Sequence, residues 1–211
     1  MANYWVKTPQ WLKKFFPSEM IWEVPEGDEP AVYLTFDDGP HPKVTQFVLD
    51  QLAASGARAT FFCVGNNVSL YPDVYRQIVD AGHITGNHTF NHLNGWKTNN
   101  FTYLKNIEMA ARVISNKIFR PPYGRIKLTQ VRKLLRGKHQ WKVYMWDILS
   151  GDFDPDITAK ECADNVISNL KPGSIVVFHD SEKAWNRLQY ALPEVLRHCR
   201  EHGLKLKSLP K

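Results

Sequence analysis

Short apolar segments alternate with segments whose apolar residues recur at helical spacing, along nearly the whole chain. AVYLTF (31–36) is followed by a stretch from Pro42 to Ser55 with Val44, Phe47, Val48 and Leu52 on one helical face, closed by Gly56. ATFFCVG (59–65) reads as a second strand and Val68 to Ala81 as a helix stopped by Gly82. Helices are expected at Phe101 to Lys117, Lys127 to Arg136, Ile157 to Leu170 and Arg187 to His202, and strands at WKVYMW (141–146), SIVVF (174–178) and LKLKSL (204–209). Strands apolar on both faces and separated by amphipathic helices make a parallel sheet covered by helices, an α/β fold. Six or seven such units suit a barrel better than a two-ended sheet, and no GxGxxG follows the first strand to support a dinucleotide fold. A chain of 211 residues forms one sizeable core rather than two ordinary domains. Residues 1–27 are expected as a lead-in packing on a single domain at 28–211.

Charge and cysteine content narrow the classes of function. Lys and Arg exceed Asp and Glu by 27 to 21, a net +6, but the excess is spread out. Its densest stretch, Lys127 to Lys142, reads as a solvated helix face and its exit, and no nucleic-acid motif is present. Cys63, Cys162 and Cys199 are far apart, form no CxxC pair and lie in apolar settings, so they read as core residues. The stretch MANYWVKTPQWLKKFFPSEM has neither a continuous apolar core nor a small-residue cleavage site. It is not read as a signal peptide, and a cytoplasmic location is expected. Nothing approaches a membrane span of about 20 apolar residues. Trp11, Leu12, Phe15 and Phe16 are expected to form a short amphipathic helix docked on the domain, with membrane-surface binding the alternative, and the sequons at Asn67, Asn87 and Asn100 carry little weight without a secretory signal.

In an α/β barrel the chemistry sits at the C-terminal ends of the strands. There TFDDGPHP places Asp37 and Asp38 side by side, where like charges raise each other's pKa unless a cation offsets them. The stretch GNHTFNH supplies His88 and His92, four apart, a spacing that on a helical turn puts both imidazoles on one face. Two histidines and one carboxylate make a plausible catalytic zinc set. One aspartate of the pair can bind the metal while its neighbour takes a proton from water. Taken alone, the Asp pair also fits a helix cap before Pro42. His179 ends SIVVFH at the same predicted rim. Arg120, in the proline-stiffened FRPPYGR, either braces a carboxylate or caps a loop. WDILSGDFD adds Asp147, Asp152 and Asp154 after a strand.

Together these stretches resemble the polysaccharide deacetylase family, the NodB-homology enzymes of carbohydrate esterase family 4, from about Ala31 to Leu209. TFDDGPHP, HTFNH, RPPYG, LSGDF and VFH stand in the order of the family's five motifs. The resemblance implies a distorted (β/α)7 barrel and a metal-dependent deacetylase acting on an N-acetylhexosamine glycan of chitooligosaccharide or peptidoglycan type. It implies Asp38, His88 and His92 as ligands of zinc or another divalent transition metal, and Asp37 as the catalytic base held by Arg120. His179 becomes the general acid oriented by Asp152, and the Tyr123 backbone N–H faces the oxyanion. Pro122, Tyr123, Trp146 and Phe153 are implied as the rim that meets the sugar. The pattern is not complete. Leu149 stands for the first aspartate of the fourth motif, Phe153 for its tryptophan and Val177 for a leucine in the fifth. These departures bear on substrate fit, because the metal, base and acid positions are all filled. An O-acetyl esterase and a sugar-binding barrel without turnover are the alternative readings.

Overall fold

The computed structural model describes residues 4–137 and 140–211. Met1 to Asn3, and Lys138 and His139 within the basic stretch, lie outside the described residues. The elements run α1 (Gln10–Lys13), β1 (Ala31–Asp37), α2 (Pro42–Ala54), β2 (Thr60–Cys63), α3 (Gly65–Leu70), α4 (Pro72–Asp80), β3 (Ile84–Asn87), α5 (Asn100–Ala110) and β4 (Ile118–Phe119). They continue with α6 (Leu128–Arg136), β5 (Lys142–Val143), β6 (Ile148–Leu149), α7 (Ala159–Ile167), β7 (Ile175–His179), α8 (Trp185–Glu201) and β8 (Lys205–Leu206).

Alternation along the strands sorts residues between two environments. Val32, Leu34 and Phe36 of β1 face the helix layer with Val44, Val48 and Leu52 of α2 and Leu188, Leu192 and Val195 of α8. Phe36 stacks on Phe61 and Phe178, with centroids 5.1 and 6.0 Å away, joining β1 to both neighbours. Phe62, Ile118, Tyr144 and Ile175 fill a second cluster together with Tyr33. The strands are parallel in the order β5-β4-β3-β2-β1-β7-β6, with β8 pairing beside the start of β1. This is a curled parallel α/β sheet, a half-barrel with two ends, the distorted barrel that the resemblance implies rather than a closed ring.

Its two ends, β5 and β6, do not pair with each other among the described residues. The lead-in lies along both. Ile21 exchanges backbone hydrogen bonds with the β5 side (Ile21 N to Val143 O, 2.9 Å; Met145 N to Ile21 O, 2.7 Å). Val6 and Thr8 do the same on the β6 side (Leu149 N to Val6 O, 2.8 Å; Thr8 N to Asp147 O, 2.9 Å). Edge groups that would otherwise stay open are thereby satisfied. Fully buried Asp147 is tied to Lys7 and Lys13 and accepts a bond from Ser174 Oγ at 2.9 Å. Burial raises Glu23, but Lys13 and Lys171 hold it down to about 2.

Several expected elements differ. The Val68–Ala81 helix is two, α3 and α4, because Pro72 cannot continue the helix before it and instead starts the next. The Phe101–Lys117 helix stops at Ala110, where a turn carries buried Ile114 into the core before β4. Of 141–146 only Lys142–Val143 forms a ladder, since β4 offers two residues to pair with. Strands β3, β4 and β6 are too short and mixed for a periodic signal. The lead-in helix is only Gln10–Lys13, so Phe15 and Phe16 fall beyond it, and it buries no residue: Trp11 is 55% and Phe15 71% exposed. Phe16 instead packs on Trp22, with ring centroids 5.4 Å apart. The three cysteines are free and buried, as read. Among the described residues no helix is long and apolar enough to cross a membrane.

Candidate active site

Parallel strands end on one rim, so residues distant in sequence meet there. Asp37 closes β1 opposite His179, its register partner on β7. Asp38 then enters the left-handed region at φ 82°, a strained backbone for a non-glycine residue. That reversal explains how adjacent carboxylates serve different partners. Asp37 stays in the strand and is held by Arg120, while Asp38 turns towards the histidines.

Oδ1 of Asp38 lies 3.0 Å from His92 Nε2 and 3.7 Å from His88 Nε2. It is buried without a hydrogen-bond partner, and these three side chains present ligand atoms within 4.8 Å of one another. An orphaned carboxylate oxygen facing two imidazole nitrogens could hold a metal ion, and the donor types fit a borderline-soft dication. His88 Nδ1 donates to the Arg120 carbonyl at 2.8 Å, since that oxygen only accepts, which leaves the Nε2 lone pair free. Burial pulls His88 down to about 4, against the Asp37 charge, so the ring is neutral as a ligand must be. His92 Nδ1 meets the Tyr123 hydroxyl at 3.1 Å. Burial raises Asp38, but His92, His179 and His88 outweigh it and hold the carboxyl well below the usual range.

The histidine pair does not stand on a helical turn. β3 ends at Asn87, and the ligands sit in an irregular loop with Thr89 at φ 62° and His92 at φ 54°. Side chains replace the missing helical bonds. Asn106 Oδ1 accepts from the amides of Phe90 and Asn91, Thr89 Oγ1 accepts from Leu93 N, and Asn87 Oδ1 accepts from Thr89 N. The i, i+4 spacing brought the ligands together, but through loop geometry.

Arg120 is entirely buried and makes three bonds: Nη1 to Asp37 Oδ1 (2.8 Å) and Thr35 Oγ1 (2.6 Å), and Nη2 to the Met145 carbonyl (2.8 Å). Its guanidinium carbon lies 4.2 Å from the Phe62 ring centroid. Asp37 Oδ2 is left 3.9 Å from His88 Nε2. Of the two readings of Arg120, the structure selects the carboxylate brace.

Asp152, fully buried, accepts twice from one residue: Oδ2 from the His179 backbone N–H at 2.6 Å and Oδ1 from His179 Nδ1 at 2.7 Å. Burial lowers His179, but the Asp152 carboxylate more than reverses it and lifts the imidazole to about 9. The Phe153 ring stands edge-on to His179 at 5.3 Å and contacts Tyr4 of the lead-in at 5.2 Å. Of the other acids in WDILSGDFD, Asp147 serves the lead-in and Asp154 accepts from the Tyr4 hydroxyl at 3.0 Å.

The rim residues divide. Tyr123 is 59% exposed at φ 61°, its ring 4.6 Å from His92. Phe153 is half-buried. Pro122 is buried in a short 3₁₀ turn, and Trp146 is packed below Gly124, where a Cβ would fall 2.5 Å from the indole. Leu149 is buried on β6 opposite Val177.

Supporting residues that sequence reasoning passed over complete the site. Asn67 Nδ2 donates to the Asp38 carbonyl at 2.7 Å, so one sequon asparagine braces the strained turn. Asp180 accepts from Gly39 N (2.9 Å) and Thr45 Oγ1 (2.6 Å), and a Cβ on Gly39 would fall 1.9 Å from its carboxylate. Burial, with Asp38 nearby, pushes Asp180 up to about 7. Lys183 Nζ forms an ion pair with Asp38 Oδ2 at 2.7 Å. The His-Asp dipeptide at 179–180 was the one available signal for Asp180; nothing local marked the others.

Two imidazoles with a carboxylate, beside an arginine-braced aspartate and an aspartate-held histidine, form the kind of side-chain set that metal-assisted hydrolases use. Residues 25–138 match the family described as Polysaccharide deacetylase, and the chain belongs to it. It is 30% identical over 186 residues to a peptidoglycan-N-acetylglucosamine deacetylase of Bacillus cereus, covering 85% of this chain and 66% of that protein. It is 33% identical to a chitooligosaccharide deacetylase of Azorhizobium caulinodans, covering 72% of this chain and 75% of that one. Among solved structures, a peptidoglycan N-acetylglucosamine deacetylase in complex with 4-naphthalen-1-yl-N-oxidanyl-benzamide superimposes with a TM-score of 0.83 at 27% identity, covering 96% of this chain and 95% of that one.

Proposed function

We propose that the chain removes the N-acetyl group from an N-acetylhexosamine residue of a glycan of chitooligosaccharide or peptidoglycan type, releasing acetate. The observation that carries this reading is the convergence of an Asp38–His88–His92 donor set, an Arg120-held Asp37 and an Asp152-held His179 on adjacent strand ends. A sugar-binding barrel needs no such combination. The names of the relatives support the substrate class.

Asp38, His88 and His92 would hold zinc or another divalent transition metal. Such an ion supplies a more acidic water and a polarised acetyl carbonyl. Asp37 takes the proton of the attacking water, and Arg120 holds and aims that carboxylate through its 2.8 Å bond. The Tyr123 backbone N–H faces the developing oxyanion, a type of contact worth about 3 kcal/mol in hydrolases. His179, charged through Asp152, gives its proton to the departing amine. The exposed Tyr123 ring and half-buried Phe153 offer faces to the sugar.

Acetate release from chitooligosaccharides by metal-stripped protein, before and after zinc is restored, tests this. Activity that returns with zinc is expected. Zinc bound without acetate release, from these oligomers or from peptidoglycan fragments, would overturn N-deacetylation and leave O-acetyl substrates. Failure to bind zinc would overturn the metal reading.

A further inference from the structure

Asp38 uses its two oxygens for different purposes. Oδ1 is buried, orphaned and aimed at the two histidines, whereas Oδ2 is paired with Lys183 Nζ at 2.7 Å. Lys183 does not reach this place as a loose surface side chain. It sits in a short 3₁₀ turn, Glu182–Ala184, that links the end of β7 to α8. Arg187 of α8 clamps this turn to the acid side of the site: its Nη2 donates to the Lys183 carbonyl and its Nε to the Asp152 carbonyl at 2.7 Å. Ala184 beneath it is buried, and Trp185 beyond it packs edge-on against Phe47 of α2, with centroids 5.3 Å apart. The lysine backbone is therefore held by the same arginine that holds the backbone of Asp152.

We infer that Lys183 is a positioning residue for the metal ligand: by occupying Asp38 Oδ2 it fixes the carboxylate rotamer so that Oδ1 alone is presented to the metal. This rests on the metal-assisted reading above. An ammonium beside a dication site also repels the ion, and the two effects have opposite signs. The Lys183 side chain is 49% exposed, so water and salt screen its charge towards the site. Orientation of a carboxylate that already stands on a strained backbone is not screened, and it decides the sign. Groups that orient a ligand in this way typically change metal affinity by about 10- to 100-fold when removed.

The test compares the wild type with Lys183→Met and Lys183→Arg, using cobalt(II) alone as the probe, with affinity read by chelator competition and coordination by the visible d–d spectrum. Lys183→Met is expected to bind cobalt about 10-fold more weakly. Its spectrum should also change, as Asp38 becomes free to turn both oxygens inward. Lys183→Arg, which restores a cation at Oδ2, should recover both. A Lys183→Met protein with unchanged or tighter cobalt binding, or with the wild-type spectrum, overturns the inference and leaves Lys183 a solvent-facing counter-ion. Wild-type protein that does not take up cobalt removes the metal-assisted reading itself, a result distinct from either. The side chain is half exposed, so thermal melting of the metal-free variants should match the wild type and keep the comparison one of folded proteins.

Discussion

Replacing Asp152 by asparagine should disable the general acid while leaving the metal site whole. Asp152 accepts two hydrogen bonds from His179, one from its amide and one from its ring. Asparagine has one acceptor and one donor end, so it cannot satisfy both. The electrostatic loss is larger. His179 is lifted to about 9 against the lowering effect of its burial, and Asp152 is the main raising charge. From the ordinary value near 6.5 the lift is worth roughly 3 kcal/mol of preference for the imidazolium. At pH 7 a group at 9 is about 99% protonated, whereas at 6.5 or below it is at most roughly a quarter protonated. His88, buried in the same rim without such a carboxylate bond, is already down near 4. Combined with a misaligned acid, kcat/KM at pH 7 should fall by about 100-fold or more. The alkaline limb of the pH profile should move from about 9 to below 7. Stability follows the same linkage. The folded-state pKa is raised, so the contribution is fully present below pH 6.5 and is lost as pH rises through about 9. Melting of the metal-free protein should therefore decline over that window in the wild type and not in the variant. An Asp152→Asn enzyme with an unmoved alkaline limb, or a His179 ring that titrates near 6.5 by NMR in the wild type, would refute the reasoning.

Asp37→Asn should abolish turnover yet retain zinc, whereas His88→Ala should lose both; acetate assays with metal analysis of the same samples separate base from ligand. Arg120→Met strands Asp37 as a buried, unpaired carboxylate and should cost about 3–5 kcal/mol in urea denaturation as well as activity. Deleting residues 1–8 removes the Val6 and Thr8 edge bonds, the Lys7 partner of buried Asp147 and the Tyr4 contact to Phe153. A loss of roughly 2–4 kcal/mol is expected, with a fall in kcat; an unchanged denaturation midpoint would show that the lead-in is dispensable.

The parallel α/β architecture was legible because each long strand is apolar on both faces and each long helix carries one clean stripe. β3, β4 and β6 were not, since two to four residues cannot display a period and their pairing is imposed by neighbours. The ligand set was visible as residue types at strand ends, but its geometry was not. His88 and His92 obey helical spacing in sequence and loop geometry in space, held by Asn87, Thr89 and Asn106, none of which looks like a ligand support in a linear reading. Arg120 left two roles open until a partner was seen within bonding distance. Lys183 had no signal at all, because its meaning depends on a carboxylate far away in sequence. Trp11 and Phe15 misled in the other direction, as aromatic residues at helical spacing that the fold leaves exposed.

The lead-in that lies along both edges of the sheet has a consequence in time. Lys7 meets Asp147, a partner 140 residues later in the chain. At synthesis rates of about 5–20 residues per second, that interval lasts roughly 7–28 s. Throughout it the backbone groups of Val6 and Thr8 have no β6 edge to join. Contacts of such sequence separation form slowly. Newly made chains should pass through a stage in which β1 to β4 are assembled and the Val6 and Thr8 backbone groups are still unpaired.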